Sequence, residues 1–195
     1  VTSTEPAEEL DGRRRRSLDS RARIVAAMLD LVREGDMSPG AETVAARAEV
    51  GLRTVFRHFK DMDSLYGEMS NAIEIEVRKS VAQPFRGSTP RERTIELVER
   101  RSAVYERIAP YRRASDGRRH TSDFLAASLA QFRVEARAIL VGILPEEAAA
   151  DPLKLEALDL LLSFEAWNRL RVDQGLSQAK TREVLTAAVT RMLAG

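Results

Sequence analysis

Two short segments, TVAARA at residues 43–48 and LRTVFRHF at residues 52–59, are separated only by Glu49, Val50 and Gly51. Each places apolar residues at helical spacing: Val44, Ala45 and Ala48 in the first, Val55 and Phe59 in the second. Helices this short do not hold in water by themselves, so both must be pinned by packing on one face. Pinning the second segment through Val55 and Phe59 turns Arg53, Thr54, Arg57 and His58 outward. A pair of helices joined by a three-residue turn is a helix-turn-helix arrangement. The second helix of such a pair fits the major groove, where base edges and phosphates accept from such donors.

Charge is distributed in the same direction. The net charge of the 195 residues is only +1. From Gly12 to Lys60, however, eleven Lys and Arg stand against six Asp and Glu, whereas from Asp61 onward the two signs balance at twenty each. The eleven residues before Gly12 carry four acids and no base. A basic N-terminal third on a neutral body is a directional charge pattern that suits a polyanionic partner, with an Arg-rich solvated surface as the plainer alternative. Residues 1–16 lack apolar periodicity and are expected to be a disordered basic arm ending in Arg13, Arg14, Arg15 and Arg16.

The flanking chain is expected to be helical throughout. A first helix is expected from Ser20 to Glu34, with Ile24, Met28, Leu31 and Val32 as its stripe and Gly35 as its stop. The two short helices are expected over Ala41–Ala48 and Leu52–Phe59. A fourth, from Asp63 to Ala82, carries Leu65, Met69, Ile73, Val77 and Val81 at steps of four. Thr89, Pro90 and Glu92 form a capping-box pattern opening a fifth, expected to end at Pro110. Further helices are expected from Ser122 to Ile143, from Pro152 to Gln174 and from Ser177 to Met192. The Pro152–Gln174 segment is apolar around most of its circumference, so it must be covered on more than one side. Either it is the central helix of a bundle or it also packs on a partner chain.

The stretch ETVAARAEVGLRTVFRHFKDMDSLY resembles the DNA-binding signature of tetracycline-repressor-type (TetR family) regulators. Val44-Ala45, the turn Ala48-Glu49-Val50-Gly51, the run Thr54-Val55-Phe56-Arg57-His58-Phe59 and then Ser64-Leu65 follow its spacing, within residues 20–66. Three positions depart from it. Glu49 stands where the family has a glycine in the left-handed conformation, which costs a side chain on the order of 1 kcal/mol. Phe56 replaces a tyrosine and loses its phosphate-directed hydroxyl, and Met62 replaces a lysine. Lys60 and the Arg13–Arg16 arm are the candidates to supply the missing charge.

The resemblance implies an all-α protein with a three-helix head at residues 17–62 and a larger effector-binding and dimerisation bundle at residues 63–195. It implies a DNA-binding transcriptional regulator, foremost a repressor, released from a palindromic operator on double-stranded DNA by a small-molecule effector. The last two long helices would make the homodimer, around Leu161 and Trp167. The expected DNA contacts are Gly51, Leu52, Arg53, Thr54, Phe56, Arg57, His58 and Lys60, with the arm. Tyr105, Tyr111, Phe124, Phe132, Phe164 and Trp167 are the aromatic candidates for an effector pocket. Arg100-Arg101, Arg112-Arg113 and Arg118-Arg119 are candidates to recognise an acidic ligand, with a solvated face as the plainer alternative.

Other function classes find less in the sequence. With two histidines and no cysteine, no metal site, catalytic centre or cofactor is expected. The opening VTSTEPAEELDG is polar and acidic, unlike a secretory leader, and no apolar run reaches the roughly 18 residues of a membrane span, so a cytoplasmic protein is expected. Two alternatives remain open: a helical ligand carrier or enzyme with a degenerate head, and an effector-independent architectural DNA-binding protein.

Overall fold

The computed structural model describes residues 5–120 and 122–194, whose regular elements are all helical. In chain order they are α1 (Glu5–Arg33), α2 (Ala41–Arg47), α3 (Leu52–His58), α4 (Met62–Val81), α5 (Pro90–Asp116), α6 (Asp123–Ile143), α7 (Glu146–Ala149), α8 (Pro152–Leu161), α9 (Phe164–Asn168) and α10 (Gln178–Met192). No helix is long and apolar enough to cross a membrane among the described residues.

The first helix starts far earlier than its apolar stripe. Residues 5–16, expected as a disordered arm, are its opening turns; residues 1–4 lie outside the described residues. Absence of apolar periodicity does not forbid a helix here, because Ala, Glu, Leu and Arg are all strong helix formers. Pro6 sits in the first turn, where its missing N–H costs nothing. At the other end Gly35 takes φ 107°. Its N–H donates to the Val32 carbonyl at 3.1 Å and that of Asp36 to the Leu31 carbonyl at 3.0 Å, the paired bonds of a glycine-terminated helix.

The chain forms two compact units. One comprises residues up to Ile73 together with Pro110–Ala126; the other comprises Glu74–Ala109 and the chain from Ala127 onward. This differs from a simple cut after residue 62, because the head is completed by later parts of the chain. Its core joins Ile24, Met28 and Val32 of α1, Val44 and Ala45 of α2, Val55 of α3 with Phe59 just beyond it, and Leu65, Tyr66 and Met69 of α4 to Tyr111, Ala114 and Leu125. A β-carbon on Gly67 would come within 2.6 Å of Phe124 Cε1, so a side chain there would require the half-exposed Phe124 ring to shift.

α5 does not end at Pro110 but runs on to Asp116. An interior proline costs about 3 kcal/mol. Ile108 and Ala109 before it and Tyr111 and Ala114 after it are all buried, and that burial offsets the cost. The capping box at the start of α5 forms: the Glu92 carboxylate accepts from the N–H groups of Ser88 and Thr89, and the Glu92 N–H donates to Thr89 Oγ1.

The expected Pro152–Gln174 helix is broken. α8 stops at Leu161, and Ser163 caps a new start by accepting from the Ala166 N–H at 3.1 Å. After α9 the chain winds through a π-helical turn, Arg169–Asp173. The restart packs Phe164 and Trp167 against Tyr105, with ring centroids 5.5–5.8 Å apart. The Tyr105 hydroxyl donates to the Leu162 carbonyl at 2.8 Å, which answers one carbonyl left open by the break. Ser177 caps α10 as its sequence indicated.

Candidate nucleic-acid interface

α2 and α3 are held by the apolar residues that their spacing singled out. Val44, Ala45, Ala48, Val55 and Phe59 are all buried. Glu49 in the turn adopts φ 53°, the left-handed conformation expected where glycine is usual. It is exposed, so its side chain meets no steric objection beyond its own backbone. The Val50 N–H donates to the Ala45 carbonyl at 3.0 Å and closes the turn. Gly51, at φ −71° and ψ 148°, is the N-cap of α3.

Three arginines that sequence reasoning did not single out fix this pair. Arg21 donates to the His58 carbonyl at 3.0 Å, pairs with Glu68 at 2.9 Å and lies 4.5 Å over the Phe59 ring. It therefore clamps the C-terminal end of α3, where the free carbonyls favour a cation. Arg23 donates to the Ala48 carbonyl at 3.3 Å, and Arg47 makes a two-pronged pair with Glu34 at 2.8 and 2.6 Å. A signal for Arg21 was present: it lies three residues before Ile24, on the face of α1 that otherwise carries Met28 and Leu31.

The outer face of α3 has the opposite character. Leu52, Arg53, Phe56 and Arg57 are exposed, as is Lys60 just beyond, and Thr54 is half-buried. Phe56 is 49% exposed, a large apolar surface for a water-facing position. Among the described residues, no carboxylate pairs with Arg53, Arg57 or Lys60, in contrast with Arg21 and Arg47. His58, expected as a DNA contact, is less accessible than Arg53, Arg57 and Lys60. It is half-buried, and its Nε2 is enclosed without a hydrogen-bond partner. Burial first, then the charges of Arg57 and Arg21, lower its pKa from the ordinary imidazole value. Of the expected arm residues, Arg15 and Arg16 are exposed on α1; the side chains of Arg13 and Arg14 lie outside the described ones.

The six aromatic candidates for a pocket separate. The second unit contains a cavity of about 620 Å³, with Tyr105 and Phe132 among its lining residues. Phe85, Val77, Val81, Leu97 and Ile139 contribute apolar wall. Tyr111 instead belongs to the head core, where its hydroxyl accepts from Arg33 at 3.1 Å. Phe124 is 53% exposed beside Gly67, and Phe164 and Trp167 are consumed by packing on Tyr105. Periodicity marked these residues as large and apolar but carried no information on which would face open space. Among the described residues no group of His, Cys, Asp and Glu is placed to hold a metal ion.

The sequence matches no protein-family model and no curated protein. Solved structures do match. A transcriptional regulator from Rhodococcus sp. Rha1 superposes with a TM-score of 0.71 at 18% identity, over 90% of this chain and 96% of its own. The chain has the TetR-like fold. That follows from two further matches: a TetR-like transcriptional regulator from Rhodococcus sp. RHA1, with a TM-score of 0.61 at 14% identity over 90% of this chain and 96% of its own, and a TetR transcriptional regulator from the same source, with a TM-score of 0.55 at 18% identity over 93% and 98%. At these identities the likeness is one of fold, and function rests on the residues of this chain.

Proposed function

We propose that the chain is a dimeric, sequence-specific DNA-binding transcriptional regulator, a repressor that a small molecule releases from its operator. The carrying observation is the exposed Arg53 and Arg57 on a short helix that Arg21, Val55 and Phe59 hold in place, with Lys60 just beyond it, none of them paired with a carboxylate among the described residues. Cations without internal partners are available to phosphates and to guanine edges. Leu52 and Phe56 offer apolar contact to thymine methyl groups. Arg15 and Arg16 would add phosphate contacts from a helix rather than from a disordered arm.

A single seven-residue helix reads only a few base pairs, and a two-fold dimer doubles that number on inverted half-sites about 34–36 Å apart or a multiple of that. Leu153 and Leu160 on α8 are 83% and 66% exposed, and Val184 on α10 is 37% exposed, which suits them to a homodimer contact. Trp167, first expected at that contact, is 1% exposed and belongs to the protomer's own core. The cavity supports the effector. Val77 and Val81, two of its walls, lie on α4, the helix that carries Leu65 and Met69 of the head core, so an occupant could act on the head through one continuous element. Such a protein works in the cytoplasm, beside the DNA.

Selection from a random double-stranded pool tests this directly. An inverted repeat should emerge, bound with a steep loss of affinity as salt rises. A pool that stays unenriched at low salt would end the regulator reading.

A further inference from the structure

The cavity wall combines apolar surface with four arginines, and they are not equivalent. Arg78 pairs with Glu135 at 3.1 Å, and Arg100 pairs with Glu96 at 2.7 Å. Arg107 stands 4.0 Å from Glu76. Arg101 has no carboxylate partner among the described residues. Its guanidinium donates from Nη1 to the Leu162 carbonyl at 2.9 Å and from Nη2 to the Ala136 carbonyl. Two of its five N–H donors are thus accounted for. The Leu162 carbonyl, at the end of α8, supplies a partial negative charge that orients the group without neutralising it. The two acids on the wall are already engaged: Glu135 also accepts from Gln131, and Glu74 accepts from Ser128.

A half-buried, uncompensated guanidinium against apolar wall is costly as it stands, and an incoming carboxylate relieves that cost. The planar fork matches a carboxylate better than a hydroxyl, while an ammonium would be repelled. We propose that this cavity takes an apolar monocarboxylic acid, its carboxylate on Arg101 and its hydrocarbon part against Val77, Val81, Leu97 and Phe132. The volume lies within the range of about 300–1,000 Å³ typical of small-molecule sites. This rests on the effector reading above and adds the chemistry of the ligand.

The test uses the full chain without DNA. Calorimetric titration compares decanoate, decanol and decylamine, which share a tail and differ in the head. Decanoate should bind about ten- to a hundredfold tighter than decanol, with decylamine weakest. Arg101→Gln should remove that preference by weakening decanoate alone. A purely structural arginine would instead lower the melting temperature and weaken acid and alcohol together, which refutes the assignment. Ala136→Phe, which narrows the cavity beside Arg101, should weaken decanoate and decanol alike. If Arg101→Gln fails to fold, the wild-type series still decides. Decanol within twofold of decanoate, or no binding of either, overturns the proposal. Operator binding by a chain that ignores decanoate sinks the acid chemistry only; decanoate binding by a chain that selects no DNA sinks the regulator only.

Discussion

Arg21→Ala is the most informative perturbation of the head, because one side chain makes three contacts there. The hydrogen bond to the His58 carbonyl, from a charged and partly buried donor, contributes about 1–1.5 kcal/mol. The ion pair with Glu68 is discounted to roughly 0.2–0.5 kcal/mol, since both side chains are 37% exposed and water screens them. The stack over Phe59 at 4.5 Å adds about 0.5–1 kcal/mol. The three share one guanidinium and do not add strictly, so the expected loss is about 2 kcal/mol, or about 4–8 °C in melting temperature for a chain of this size. Urea unfolding followed by circular dichroism measures it. Arg21→Lys should recover the Glu68 pairing but not the fork or the stack, and so regain less than half. High salt should narrow the gap between wild type and Arg21→Ala only slightly, because the ion pair is the smallest part. An alanine variant within about 0.5 kcal/mol of wild type would show that α3 needs no clamp beyond Val55 and Phe59.

Arg53→Ala should cost about 1–3 kcal/mol of operator affinity and relax the preference at one base pair per half-site, if the arginine forks onto a guanine; unchanged affinity and preference in a binding titration would remove it from the interface. Leu160→Glu adds a charge at a position 66% exposed in the protomer, so it should leave the fold intact and yield monomers in sedimentation, with much weaker operator binding. A variant that stays dimeric would move the contact off α8. Glu96 gives a pH signature. Burial alone would raise its pKa, but hydrogen bonds from the Gly87 N–H, from Arg100 and from the Arg86 N–H, with the charge of Arg100, outweigh that and hold it at about 2 rather than the ordinary 4.5. Its stabilisation is therefore complete above pH 4.5 and is lost as pH falls towards 2. Glu96→Gln should cost about 1–3 kcal/mol at pH 7 and converge with wild type near pH 2, as read by thermal melts across that window.

The local devices of this protein were written in short stretches of its sequence. Val44, Ala45, Ala48, Val55 and Phe59 define the helix pair by spacing, and the same spacing leaves Arg53 and Arg57 outside. Thr89 with Glu92 and Ser177 set helix starts, and Gly35 sets a stop, because caps depend on backbone groups within a few residues. What depended on distant residues could not be read that way. Pro110 looked like an end because a proline's local cost is fixed, whereas the burial of Tyr111 and Ala114 that offsets it comes from residues far away in the chain. Trp167 and Tyr111 showed only that they were large and apolar. Tertiary structure put one in the core of the body and the other in the core of the head, and left Tyr105 and Phe132 beside open space. Arg21 became a clamp, and Arg101 a charge with no carboxylate partner among the described residues, for the same reason. A side chain's period gives the face it lies on, but its chemistry depends on what the rest of the fold brings against that face.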